Sequence, residues 1–319
     1  MMPACMGKLR NAFKLGLAAT LACGVFLRPA TAGTTALPFA MVQATPGDYV
    51  RVGATAEATA ANLDGIANIG FIVGRDAVAV IDPGGSLADG DRLRAAIHAA
   101  TPLPVRYVIM THAHPDHVFG AAAFLPDHPA FVGHWRLPAA LANRGAYDHA
   151  RLASILGEAA TGMPVTPTVF VHDTLSIDLG GRMLRIEAFP PAHTDTDLVV
   201  LDTASRTLWA GDLLFVGRVP ALDGSITGWL KALTALQALP ATHAIPGHGP
   251  AVVPWPAGAE DEKRYLQTLV KDIRAGLAAG DDIGKIAANA GQSERGHWAL
   301  FDSYNGHNVI VATKELQWE

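Results

Sequence analysis

The apolar positions of the chain change period repeatedly, from every second residue to every third or fourth, which predicts strands and helices laid in succession. Residues 68–85, NIGFIVGRDAVAVIDPGG, give two apolar runs joined by Gly74-Arg75-Asp76, a hairpin pattern that ends at Asp82-Pro83-Gly84-Gly85. Leu93, Ala96, Ile97 and Ala100 then fall at helical spacing. PVRYVIM (104–110) predicts a short buried strand, VFGAAAFL a helix, PAFVGH (129–134) another strand, and residues 137–160 a helix. TPTVFVHDTLSIDLGGRMLRIEAFPPA alternates around Gly180-Gly181 and reads as antiparallel strands. LVVLDTASRTLWAGD (198–212) reads as a strand pair turning over residues 203–206, and HAIPGH (243–248) as a last short strand.

After about Trp255 the pattern is helical. Tyr265, Leu266, Leu269, Val270, Ile273 and Leu277 form one stripe closed by Gly280, and a final helix is expected over residues 309–316. Residues 33–65 carry only a weak pattern. With no repeat or linker, the sequence predicts an α+β layered fold without fixing its topology.

Composition changes this picture mainly at the N-terminus. Lys8, Arg10 and Lys14 precede the apolar run GLAATLACGVFL, and Ala30-Thr31-Ala32 follows it. A basic flank, a short apolar core and small residues in an A-x-A pattern predict a signal peptide over residues 1–32, with a retained signal anchor as the alternative. The run is too short for a membrane span, which needs about 20 apolar residues. Both cysteines, Cys5 and Cys23, fall inside this segment, so the mature chain would hold no disulfide and no thiolate ligand. The expected organisation is a signal over 1–32, a core over 33–258, and a helical part over 259–319 packed on the same domain. The expected location is periplasmic or secreted. A net charge of −5 with no basic excess argues against a nucleic-acid partner, and weighs mildly against a highly anionic substrate.

The chemistry concentrates at THAHPDH, where His112, His114, Asp116 and His117 crowd together. A solvated loop can carry such residues by chance, but the spacing answers a geometric demand. Residues two apart in an extended segment point the same way, so His112 and His114 can address one point. Asp116 and His117, past Pro115, can address a second, and both residue types suit zinc. His193 after Pro190-Pro191-Ala192, Asp212 at the end of LWAGD, and His248 in Pro246-Gly247-His248-Gly249 all follow apolar strands. One sheet edge could bring all seven together. His98, His128, His149, His172, His243, His297 and His307 receive no role, whereas His134 is an additional site candidate. Asp195 and Asp197 are expected to hydrogen-bond within their loop, and Asp82 either orients an imidazole or caps the turn before Pro83. Pocket walls are expected from residues 135–168 and 217–230, flanked by Trp135, Met163, Phe215 and Trp229.

THAHPDH, PAHTDTD, WAGD, PGHG and the VIDPGG aspartate together resemble the metallo-β-lactamase superfamily over nearly all of the mature chain. The resemblance implies an αββα sandwich with two zinc ions at one edge, iron or mixed metals being the alternative. It implies that His112, His114 and His193 hold the first ion, that Asp116, His117 and His248 hold the second, and that Asp212 bridges them. It gives Asp116 and Asp212 catalytic roles around a bridging hydroxide. β-Lactam-cleaving members typically have Cys or Ser where Asp212 stands; the aspartate is similar to the glyoxalase II-like, lactonase-like and phosphodiesterase-like branches. The segments YLQTLVKDIRAGLAAG, 298–302 and HNVIVATKELQWE resemble the quinoprotein relay system zinc metallohydrolases. These likenesses imply an exported hydrolase of a small ester, thioester or lactone, tied to a periplasmic quinoprotein system. The alternatives are an antibiotic hydrolase, an iron-dependent oxidoreductase, and a non-catalytic metal-bound relay or binding protein.

Overall fold

A computed structural model describes residues 39–319. The expected signal and both cysteines lie outside the described residues. No helix among the described residues is long and apolar enough to cross a membrane.

The first sheet holds seven strands in chain order: β1 (Val42–Thr45), β2 (Asp48–Arg51), β3 (Ile69–Val73), β4 (Val78–Ile81), β5 (Val105–Ile109), β6 (Ala130–His134) and β7 (Val169–Val171). β1 to β4 pair antiparallel, and β4 to β7 pair parallel. Parallel neighbours need crossovers, and helices supply them. α1 (Leu87–Ala100) joins β4 to β5; α2 (Pro115–Val118) with a 3-10 stretch (Phe119–Asp127) joins β5 to β6; α3 (Leu137–Leu156) and α4 (Glu158–Thr161) join β6 to β7.

The second sheet holds β8 (Thr174–Asp178), β9 (Met183–Ala188), β10 (Leu198–Asp202), β11 (Thr207–Phe215), β12 (His243–His248) and β13 (Val253–Pro254), again in sequence order. Only β11 and β12 pair parallel, across α5 (Ile226–Gln237). The chain finishes with α6 (Glu260–Ala278), α7 (Ile283–Asn289) and α8 (Phe301–Leu316).

Burial explains why some strands read as continuous apolar runs. Every residue of β4, β10 and β11 is buried, as expected of strands covered on both faces. Between the sheets, Ile72, Ile81 and Ile109 meet Ile186, Val200 and Trp209 in one apolar layer. Outside the first sheet, Phe71 and Val108 pack with Leu93 and Ile97 of α1 and Leu152 of α3. Outside the second, Val199 and Leu208 pack with Leu233 of α5, Leu269 of α6 and Val309 of α8. The result is the expected αββα sandwich. Acidic residues Glu260, Asp261 and Glu262 open α6, where they complement the positive end of its dipole.

Several elements differ from the sequence pattern. The helix expected over 137–160 breaks at Gly157, which adopts φ 83 between α3 and α4. VFGAAAFL winds mostly as a 3-10 stretch containing Pro126. β7 leaves its expected antiparallel neighbours and pairs parallel with β6 in the other sheet. The final helix begins eight residues early, at Phe301, because polar Asn305 and Asn308 are buried in it and interrupt its apolar stripe. The β1–β2 hairpin and α5 fall where a weak pattern and a pocket loop were expected.

Candidate metal centre

Strand ends converge on one edge of the sandwich. β4 ends at Asp82, β5 delivers residues 111–117, β9 leads to His193, β11 carries Asp212, and β12 ends at His248. Since β4 runs parallel to β5, and β11 parallel to β12, each pair presents its carboxyl ends together.

The seven residues singled out in the sequence meet there in two sets: His112, His114, His193 and Asp212; and Asp116, His117 and His248. Asp212 stands between them. Its Oδ2 lies 3.6 Å from His112 Nε2, 3.4 Å from His193 Nε2 and 3.4 Å from His248 Nε2, and its Oδ1 lies 3.1 Å from His117 Nε2. Asp116 Oδ2 is 3.3 Å from His248 Nε2 and 3.7 Å from His117 Nε2.

Outer hydrogen bonds orient each imidazole. His117 Nδ1 donates to Asp82 Oδ2 at 2.8 Å. His112 Nδ1 donates to Thr111 Oγ1 at 3.0 Å, and that hydroxyl donates to the same Asp82 oxygen at 2.9 Å. Asp82 thus aligns two rings, and also accepts from the backbone of Thr111 at 2.8 Å. His114 Nε2 donates to Asp223 Oδ2 at 2.8 Å, His193 Nδ1 to Ala221 O at 2.6 Å, and His248 Nδ1 to Ile66 O at 2.9 Å. The loop carrying His248 is itself fastened by Asn68, whose side-chain amide donates to Pro246 O at 2.9 Å.

These partners fix the tautomers, because a neutral imidazole with one nitrogen protonated keeps a lone pair on the other. Five inward nitrogens therefore carry lone pairs and face two carboxylates. His114 Nδ1 and His193 Nε2 face each other at 3.0 Å, and with both rings neutral and donating outward no proton lies between them. His112 Nε2, His117 Nε2 and Asp212 Oδ1 are buried without any hydrogen-bond partner. Buried acceptors pressed against acceptors are costly unless a cation lies among them. Zinc bonds of about 2.0–2.1 Å at tetrahedral angles put ligand atoms about 3.3 Å apart, which the observed 3.0–3.7 Å spacings bracket. The donor set fits divalent metal ions.

Charge is strongly coupled across this cluster. Burial, then the neighbouring His117, holds His112 well below the ordinary histidine range, and burial with His114 pushes His193 down to about 4. With no cation present the cluster would hold protons instead: against its own burial, His117 is held well above the ordinary histidine range by Asp212 and Asp82, and such imidazolium charge overrides the burial of Asp116 and Asp212 and holds both carboxyls below the usual range. Both are thus ready to serve as anions.

The cluster opens into a cleft of about 570 Å³. Arg144, Tyr147 and Arg151 of α3 line it, as do Arg218, Tyr304 and His307. Phe215 reaches it from the expected wall, stacking on His248 at 4.9 Å. Trp135 and Met163 do not line it, and Trp229 is fully buried behind His193, 5.3 Å away. His134 lies apart, in a shallow surface hollow with Trp135 and His172. Asp197 accepts from Thr194 N and Thr194 Oγ1 within its loop, as expected, and burial pushes it up to about 6. The expected wall segment 217–230 does supply Arg218 and Asp223, but the sequence pattern singles out neither, nor Tyr304, and gives His307 no role, although His307 Nε2 donates to Asp223 Oδ1 at 3.1 Å on the cleft rim. The Asp223-Gly224 pair within that wall segment is a local signal for Asp223.

A two-sheet sandwich with five histidines and two aspartates gathered at the strand ends defines the class: a hydrolase fold built around a metal site. The sequence profile of the metallo-beta-lactamase superfamily matches residues 63–248, more than half the chain, and the protein belongs to that superfamily. It is a metal-dependent hydrolase of this group. No curated protein is significantly similar in sequence. Among solved structures it is similar to a metallo-beta-lactamase from Pontibacter korlensis (18% identity, TM-score 0.59, covering 72% of this chain and 98% of that one). It is also similar to the stereoselective inverting sec-alkylsulfatase Pisa1 from Pseudomonas sp. (14% identity, TM-score 0.66, covering 86% of this chain and 50% of that one). The metallo-beta-lactamase IND-7 matches at 20% identity and TM-score 0.52, over 63% of this chain and 86% of that one. At these identities the likeness is one of fold.

Proposed function

We propose that the protein is an exported hydrolase holding two zinc ions and acting on a small ester, thioester, lactone or related substrate, within periplasmic quinoprotein metabolism. The observation that carries this reading is the acceptor-only cluster of seven side chains opening onto a cleft. His112, His114 and His193 would hold one ion, Asp116, His117 and His248 the other, with Asp212 shared. Bound there, the ions supply Lewis acidity and bring the ionisation of water toward neutral pH.

The chain's own residues position the reaction. Asp116 lies between the cluster and the cleft, so its carboxylate can accept a hydrogen bond from an entering water, orient it and hold its proton. Asp212, buried at the junction of both sets, holds them at fixed spacing. Trp229 seals the far side of His193, and Phe215 packs against both His193 and His248 at the cleft wall, which limits water around the centre. With no cysteine among residues 39–319, direct attack by water is favoured over a thiol intermediate. The basic flank and apolar run of residues 8–27 support export, and the resemblance of the C-terminal segments supports the quinoprotein link.

The test is hydrolysis of ester, thioester, lactone, phosphodiester, sulfate ester and β-lactam panels by zinc-loaded protein and by an Asp212→Asn variant. Turnover of one class, lost in the variant, is expected. A wild type that turns over none of them would overturn the reading.

A further inference from the structure

Arg218 sits in the wall of the cleft and is 4% exposed. Its backbone is fixed by a bridge to the segment before α8, Val219 N donating to Ala299 O at 3.0 Å and Ala299 N to Gly217 O at 2.9 Å. Among the described residues, no carboxylate oxygen lies within 4.0 Å of its guanidinium. Residues 1–38 contain no aspartate or glutamate that could supply one. Buried charges in proteins are otherwise paired.

Its guanidinium lies over the Tyr304 ring, 5.1 Å from the centroid, and Nη1 lies 3.5 Å from His248 Nε2, but its few hydrogen-bond contacts leave most of its donors unused. Nη2 donates to Tyr304 Oη at 2.9 Å, and that hydroxyl passes its proton toward Glu57 Oε2, also at 2.9 Å. Nε is buried without a partner. Nη1 lies 2.7 Å from His248 Nδ1, but that nitrogen must carry its proton toward Ile66 O if Nε2 is to face a metal. Nη1 then has no acceptor there either. A guanidinium keeps its charge in proteins and presents its donors as a planar fork suited to oxyanions.

Neighbouring acids do not satisfy it. Asp223 is already held by His114, His307 and Arg144, and Asp148 lies 3.8 Å from Arg144. Asp64, on the same cleft, is held above the usual carboxyl range by burial, then by Asp116.

We propose that Arg218 is a specificity residue that clamps an anionic group of the substrate, a carboxylate or sulfate oxyanion carried close to the bond that is cut. This rests on the hydrolase reading and narrows its substrate class. The mild argument from net charge against anionic substrates is overridden locally, since the field of this wall is set by Arg218 and by metal ions beside it.

The test compares 3-acetoxybenzoate, whose carboxylate cannot reach its own ester carbonyl, with its neutral methyl ester on zinc-loaded wild type, Arg218→Gln and Arg218→Lys, with zinc content measured for each. Calorimetric titration with succinate and with methyl sulfate separates the two oxyanion types. A charge-assisted contact predicts an about ten- to hundred-fold fall in the preference for the anionic over the neutral ester in Arg218→Gln, carried by KM of the anionic ester, with partial recovery in Arg218→Lys. Equal loss on both esters with falling zinc content would overturn the clamp and make Arg218 a positioning residue for His248; no change on either would overturn it too. If the wild type cleaves neither ester, hydrolysis of these esters fails, and the titrations still decide the clamp. Arg218-dependent binding of either anion sustains it, and binding equal in wild type and Arg218→Gln refutes it.

Discussion

Replacing Gly247 by alanine would drive a methyl group directly into the proposed metal centre. A Cβ built on Gly247 lies 1.9 Å from Asp212 Oδ1, and 2.7 Å from the carbonyl carbon of Gly211. Gly247 is absent from the positive-φ positions, so its backbone suits alanine and the cost is the collision alone. Ordinary contact begins near 3.4 Å, so the carboxylate must retreat by roughly 1.5 Å if the backbone holds. Metal–ligand distances tolerate only about 0.2 Å, so Asp212 would leave its bridging position. Misplacement by about 1 Å typically costs about 10²-fold in rate, and overpacking about 1–3 kcal/mol of stability. Gly247→Ala is therefore expected to fold, to hold fewer ions per chain after dialysis, and to lose at least about a hundred-fold in kcat/KM. Metal content by mass spectrometry, turnover and urea unfolding measure the three effects. Gly296→Ala, whose Cβ meets nothing within 4 Å, is the control. Wild-type metal content and turnover in Gly247→Ala would refute the reasoning.

Other perturbations probe the support of the site. Asp82→Asn puts an amide donor against the Thr111 hydroxyl and the His117 Nδ1 proton, and should weaken zinc binding about 10–100-fold in chelator competition; affinity within about two-fold of wild type would count against Asp82 as the aligning residue. Trp229→Ala empties a fully buried site behind His193 and should cost about 3–5 kcal/mol in urea denaturation, whereas a loss under about 1 kcal/mol would show the cavity had collapsed at little cost. Burial, with Arg136 adding repulsion, pushes His134 down to about 4. An unfolded histidine protonates near 6.5, so the unfolded chain binds more protons between about 4 and 6.5. The contribution of His134 to stability is thus complete above 6.5 and is lost as pH falls through that window. An NMR titration placing the His134 pKa at 6 or above would contradict this.

How much of this was legible before the structure depends on what kind of signal each feature leaves. The hairpin of β3 and β4, the strand before Thr111 and the stripe of α6 are written in local periodicity, and they form as expected. The seven clustered residues were legible because imidazoles and carboxylates at strand ends stand out against apolar runs. Asp82 left two readings open, and its bonds to Thr111 and His117 show that it aligns imidazoles. What failed was whatever depends on distant parts of the chain. β7 chose its sheet by packing, and α5 hides its buried Trp229 and Leu233 behind Gly228 and Thr227. His307 looks bland in sequence, since only folding brings α8 over the cleft to Asp223. Arg218 is conspicuous only through the partners it lacks, which no sequence pattern displays.

The central claim is that these seven side chains form one two-ion centre joined through Asp212. Titration of metal-free protein with cobalt(II), followed by its visible absorption, tests it most directly. An endpoint of about two ions per chain is expected in wild type and a smaller one in Asp212→Asn. An endpoint of one or none in wild type, or the same endpoint and affinity in both proteins, would contradict it.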